Sequence, residues 1–177
     1  STDYLSKLDV SIGAPPAVGW KWAVMKRAMG DAEVREPANQ HLEHWVFFVI
    51  RGSAEIGADG GNKAVRDGEA IMIEKVKQHT HLYGPKTEIL GFLQWRADDN
   101  PPAGMHGGAR LYLSESNLEA KAGANYFVRL RELALAAGER RPETTLADPN
   151  FVYVIDGTLT ARPSGDAVSA IAAGAVG

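Results

Sequence analysis

Imidazole and carboxylate are the groups in this chain best able to hold a metal ion or move a proton, because its 177 residues include five histidines and no cysteine. Thiolate ligands, a cysteine nucleophile and disulfides are thereby excluded. Two of the histidines stand as His79-Thr80-His81. On a strand, residues two apart share a face, so both rings should project to the same side. Such a pair serves as metal ligands or as an exposed or hydrogen-bonded pair, and the spacing alone leaves both open. His41 and His44 bracket Leu42-Glu43, and His106 lies in a Pro/Gly-rich stretch where a surface role is the simplest reading. Glu43 and Glu74 read first as solvated carboxylates.

The elements that must position these groups are mostly strands. Short runs rich in Val, Ile and Phe, at Val46 to Ile50, Ala70 to Ile73, Ile89 to Trp95 and Phe151 to Ile155, are bounded by Gly, Asn, Asp and Pro. Dense turn signals such as Arg51-Gly52, Asp67-Gly68 and Asp156-Gly157 favour antiparallel hairpins over βαβ units. The best helical segment is Leu113 to Ala122, with Ser114 or Ser116 as N-cap. Residues 98–108, with paired prolines and repeated glycines, read as a linker. Net charge is only -3 and the charges are interspersed, which argues against nucleic acid as a partner. No stretch is long and apolar enough to cross a bilayer, and no leader is evident at Ser1, so the expected setting is the cytoplasm.

A short internal similarity organises the chain further. Val46-Phe-Phe-Val-Ile-Arg-Gly52 aligns with Phe151-Val-Tyr-Val-Ile-Asp-Gly157. Each is followed by alternating residues, a Gly-containing turn and a second Gly-led run, beginning at Gly68 and Gly174. The expectation is two related β units: residues 1–97, the linker 98–108, and a partial second copy at 109–177.

The first copy resembles the cupin superfamily, whose first motif is G-x5-H-x-H-x3/4-E-x6-G and whose second is G-x5-P-x-G-x2-H-x3-N. Anchored on Gly52, the first motif sets an apolar strand at Val46 to Arg51, one of its histidines at His41, its other histidine at Asn39 and its Glu at Trp45. Anchored on Gly68, the second motif sets its His at His79, its Pro at Glu74 and its Asn at Tyr83. The resemblance implies an all-β double-stranded β-helix, a jelly-roll barrel, in tandem as a bicupin. It also implies a divalent metal held by His41, His79 and His81, with Gln94 as a further oxygen donor. Fe, Mn, Zn, Ni and Cu all suit such a set. His44 should face away from the barrel if its strand is regular, whereas a bulge would bring Glu43 or His44 in as acid/base groups. The second copy has no histidine at the matching positions Thr144, Leu146 and Asn150, which leaves it a structural or dimerising role.

Three functional classes follow from the resemblance. The first is a metal-dependent enzyme acting on a small molecule by oxygenase or isomerase chemistry. The second is a non-catalytic sensory cupin that holds a small ligand. The third is a metal-free isomerase in which His79 or His81 is the base and Tyr83 the acid. A homodimer formed through edge strands is expected in each case.

Overall fold

The computed structural model describes residues 4–14, 19–42, 44–58, 60–75, 77–96, 98–99, 107–114, 124–141, 151–161, 169–172 and 174. The chain divides into two compact units, Ser1–Leu133 and Ala134–Gly177. All regular structure among the described residues is β, as the short Val/Ile/Phe runs require.

The first unit contains β1 (Leu5–Gly13), β2 (Trp20–Ala28), β3 (Val34–Gln40), β4 (Trp45–Arg51), β5 (Ser53–Ala58), β6 (Gly61–Arg66), β7 (Ala70–Ile73), β8 (Gln78–Tyr83), β9 (Glu88–Arg96), β10 (Ala109–Leu113) and β11 (Tyr126–Glu132). One sheet has the order β10-β2-β9-β4-β7, a second β3-β8-β5-β6, and β1 pairs with β11 alone. Every pairing is antiparallel.

The two larger sheets share one core. Alternation turns Ala23 and Met25 of β2, Trp45, Phe47 and Val49 of β4, Ile73 of β7, and Ile89 and Leu93 of β9 inward. There they meet Ala54 and Ile56 of β5, Val65 of β6 and Tyr83 of β8. The other face of the five-stranded sheet is also buried, at Val24, Val46, Phe48 and Leu90. That explains why β4 reads as a continuous apolar run instead of an alternating one. Trp20 of β2 meets Tyr126 of β11 edge-on at 5.7 Å, so the two-stranded sheet contributes to that outer layer.

The expected runs at Val46–Ile50, Ala70–Ile73 and Ile89–Trp95 fall within β4, β7 and β9. Gly52, at the end of β4, has φ +90°, and a Cβ there would lie 2.5 Å from Thr87 Oγ1, so both backbone and space call for glycine. Leu113, expected to open a helix, is instead the last residue of β10, and residues 115–122 lie outside the described set. Of the expected linker 98–108, residues 100–106 also lie outside it. β10 and β11 pair with β2 and β1 within the first unit, because their alternating apolar residues find open edges there.

In the second unit, β12 (Thr158–Ala161) and β13 (Ser169–Ala172) pair as an antiparallel ribbon. The run Phe151–Ile155 is not a ladder strand like β4; it makes a single bridge at Tyr153, and Val152 and Ile155 are exposed. Three features around it match features of the first unit. Gly68 N–H donates to Val49 C=O at 2.8 Å, and Gly174 N–H donates to Val154 C=O at 2.8 Å. Ser53, just after Gly52, pairs with Arg66, and Thr158, just after Gly157, pairs with Ala172. All four glycines have positive φ.

Candidate metal centre

β8 supplies two of the three central side chains by simple alternation. Its burial pattern puts His79, His81 and Tyr83 on one face, toward the core, and leaves Gln78 exposed. Among the described residues β3 pairs only with β8, setting Asn39 opposite His79 and Glu36 opposite His81, with a register break between them. Pro37 falls in that break, as expected of a residue with no N–H on an edge strand. The chain leaves β3 at His41, which turns inward and is 7% exposed.

The three imidazoles converge. One ligand atom from each of His41, His79 and His81 lies within 4.8 Å of the others, and all three residues are buried. Ring centroids are 4.8 Å apart for His41–His79 and for His79–His81, and 6.5 Å for His41–His81.

Two of the rings are already oriented through Nδ1. His79 Nδ1 lies 2.9 Å from the carbonyl oxygen of Lys77, which can only accept, so Nδ1 carries the hydrogen. His81 Nδ1 lies 2.8 Å from Glu36 Oε2, again an acceptor. In each ring this makes Nε2 the lone-pair nitrogen, and the Nε2 atoms of all three histidines are buried. The donor set therefore fits a divalent metal ion.

Aromatic side chains wall the group. The Trp45 indole stands edge-to-face against His41 at 4.8 Å and His81 at 5.4 Å, and Phe47 stacks on His81 at 6.1 Å. Gly91 of β9 makes room for the indole: a Cβ there would lie 2.2 Å from Trp45 Nε1. A hollow bounded by Met25, Arg27, Trp45, Gly91 and Leu93 includes none of the histidines.

Tyr83 follows His81 on the same face, its hydroxyl 3.5 Å from Glu36 Oε2. Burial, reinforced by the neighbouring Glu36 charge, holds the phenol well above its ordinary pKa, so it keeps its proton. Arg27 forms an ion pair with Glu36 Oε1, and its guanidinium carbon lies 5.1 Å from the Tyr83 ring centroid.

The remaining sequence candidates fall elsewhere. Alternation along β9 puts Leu93 in the core and Gln94 on the opposite face of the sheet, paired in register with Trp22. Gln94 is 1% exposed there, on the face away from the core residue Leu93. His44, next to inward-facing Trp45, turns away as a regular strand demands, and its Nδ1 accepts from Lys75 N–H at 3.4 Å. Partial burial, then the Lys75 charge, lower its pKa. Glu43 and His106 lie outside the described residues. Glu74 is exposed and pairs with Lys77.

Glu36, Arg27 and Gly91 were not singled out by the sequence. A glycine in the middle of an apolar strand does signal close approach by a neighbour, and Gly91 carried that signal. Glu36 sits in the polar run Val34 to Gln40, and its place opposite His81 depends on a strand register that sequence does not specify.

No family model matches the chain, and no curated protein matches it in sequence. Among solved structures, it is similar to a cupin superfamily protein from Desulfitobacterium hafniense, at 11% identity and TM-score 0.36 over 50% of this chain and 79% of that one. It is similar to an RmlC-like cupin from Desulfovibrio desulfuricans, at 15% identity and TM-score 0.36 over 48% of this chain and 80% of that one. It is also similar to KdgF from a Halomonas species, at 17% identity and TM-score 0.36 over 51% and 80%.

Proposed function

We propose that His41, His79 and His81 hold a divalent metal ion and that the chain is a cupin-type enzyme acting on a small molecule bound beside it, by oxygenase or isomerase chemistry. The observation that carries this reading is the convergence of three buried imidazoles, two of them with Nδ1 already committed to an acceptor. An ion bound there would supply a Lewis acid or a centre for dioxygen. The residues of the chain do the rest. His79 and His81 present Nε2 from one strand and His41 closes the set from the end of β3. Trp45 and Phe47 exclude water and lower the local dielectric. All three ligands are neutral, so the double charge of the ion is not offset by any of them. An oxygen-donor anion, such as a carboxylate or enolate, is therefore the favoured substrate group.

The test is a metal titration by calorimetry with Mn(II), Co(II) and Zn(II) on the chain and on His41→Ala, His79→Ala and His81→Ala. Binding at one site per chain, lost in each variant, is expected. Affinity unchanged by all three substitutions overturns the proposal.

One observation favours a metal-free reading as well: the 2.8 Å contact of Glu36 with His81 Nδ1 would also make His81 Nε2 a general base. Activity unaffected by excess chelator would select it. In that scheme Tyr83 is a poor acid, because burial holds its proton.

The tandem organisation belongs to the same proposal. The matching hydrogen bonds of Gly68 and Gly174, and the matching register after Gly52 and Gly157, support a second, histidine-free copy with a structural role.

A further inference from the structure

We infer that Glu36, clamped by Arg27, is the positioning residue that sets His81 in its metal-ready tautomer. The inference rests on the metal-centre reading but concerns a carboxylate outside the ligand set. Glu36 divides its oxygens between two jobs. Oε1 takes the ion pair with Arg27, and Oε2 accepts from His81 Nδ1–H at 2.8 Å, with the Tyr83 hydroxyl at 3.5 Å.

Side-chain exposure is 13% for Glu36, 16% for Arg27 and 0% for His81. A carboxylate so nearly buried is kept charged only if a cation accompanies it, which is the part Arg27 plays. Arg27 in turn lies against the Tyr83 ring, which restricts where its guanidinium can go. The geometry is reinforced from the backbone, since Glu36 and His81 are direct cross-strand partners in the β3–β8 ladder.

The consequence is electronic and steric together. A neutral imidazole in water prefers its hydrogen on Nε2, the nitrogen needed here as a donor. Glu36 reverses that preference by holding the hydrogen on Nδ1. It also fixes the ring plane. His79 obtains the same tautomer from a backbone carbonyl, which no side-chain substitution removes. Glu36 is thus the point at which a single side chain controls the site without touching the ion.

The experiment pairs a readout that needs no metal with one that does. Long-range nitrogen–proton NMR on the metal-free chain, with histidine rings labelled, reports the tautomer. His81 is expected to be Nδ1-protonated, and to move toward the Nε2–H form in Glu36→Ala while His79 is unchanged. Co(II) titration with its visible absorption bands is run on the chain, Glu36→Ala, Glu36→Gln and His79→Ala. Affinity is expected to drop about 10–100-fold in Glu36→Ala. Glu36→Gln, which keeps an acceptor oxygen but not the charge, should recover part of it. Thermal melts establish that each variant is folded, and Glu36→Gln keeps the test open if Glu36→Ala is not.

An Nε2–H tautomer for His81 in the unaltered chain overturns the inference, as does Co(II) affinity within twofold of the parent in both Glu36 variants. If the parent chain binds no Co(II), or His79→Ala binds it equally well, the metal-centre reading fails. The tautomer result then decides separately whether Glu36 sets the ring.

Discussion

Gly91→Ala is the substitution whose effect follows most directly from the packing around Trp45. A Cβ at residue 91 would lie 2.2 Å from Trp45 Nε1, 2.8 Å from Cε2 and 3.1 Å from Cζ2. Contact between such atoms settles near 3.5–4.0 Å, so the indole must retreat by more than an ångström. It has little room to do so, because Trp45 is 4% exposed and stands against His41, His81 and Phe47. Overpacking of this kind costs about 1–3 kcal/mol. In a Trp45→Leu background the obstructing atoms are gone. Alanine is then the better strand residue there, worth roughly 0.5–1 kcal/mol over glycine. The sign of the Gly91→Ala effect should therefore reverse, a coupling of roughly 2 kcal/mol in a double-mutant cycle. Urea unfolding followed by fluorescence and circular dichroism on the four proteins measures it. Equal destabilisation by Gly91→Ala in both backgrounds would refute the indole-on-glycine packing, and with it the wall assigned to Trp45.

Other consequences are as direct. Gly52→Ala should cost more than 2 kcal/mol, since φ +90° and the 2.5 Å approach to Thr87 add strain to clash; urea midpoints check it. His44 holds its pKa below its ordinary 6.5 when folded, so just below that pH the unfolded chain binds more protons than the folded one. Stability should therefore rise with pH through this window and fall away on acidification below 6.5, and His44→Gln should show a shallower fall between pH 7.5 and pH 5.5 in matched urea titrations. Tyr83→Phe removes a hydroxyl whose contact with Glu36 is long. Its cost should stay under about 1.5 kcal/mol, with Co(II) affinity within a few-fold of the parent, a contrast with Glu36→Ala that calorimetry resolves.

The strands of the first unit were legible because local pattern and final burial agree there. Val46–Ile50 is apolar throughout since β4 is buried on both faces, and His79 and His81 share a face because β8 alternates. What one strand's parity decides was readable, as in the shared face of His79 and His81. What depends on pairing between distant segments was not. Glu36 reaches His81 only through the β3–β8 register, and β10 and β11 join the first unit through β2 and β1, partners more than eighty residues away in sequence. Which parity of β9 faces the core was likewise not readable from the strand alone; Leu93 takes that side and Gln94 the other. Leu113 followed β-sheet pairing instead of its local helical context, a tertiary override of propensity. Gly52, Gly68, Gly157 and Gly174 share positive φ, while among the described residues Phe151–Ile155 makes a single bridge at Tyr153 where β4 forms a ladder.

The most direct test of the central claim is an anomalous diffraction experiment on crystals grown with Co(II) or Zn(II), with data collected on both sides of the metal absorption edge. The account predicts one strong anomalous peak per chain, bonded to nitrogens of His41, His79 and His81, with Glu36 on the far side of the His81 ring and Gln94 remote. A metal-loaded crystal with no peak among these three rings, or a peak held by other residues, contradicts it.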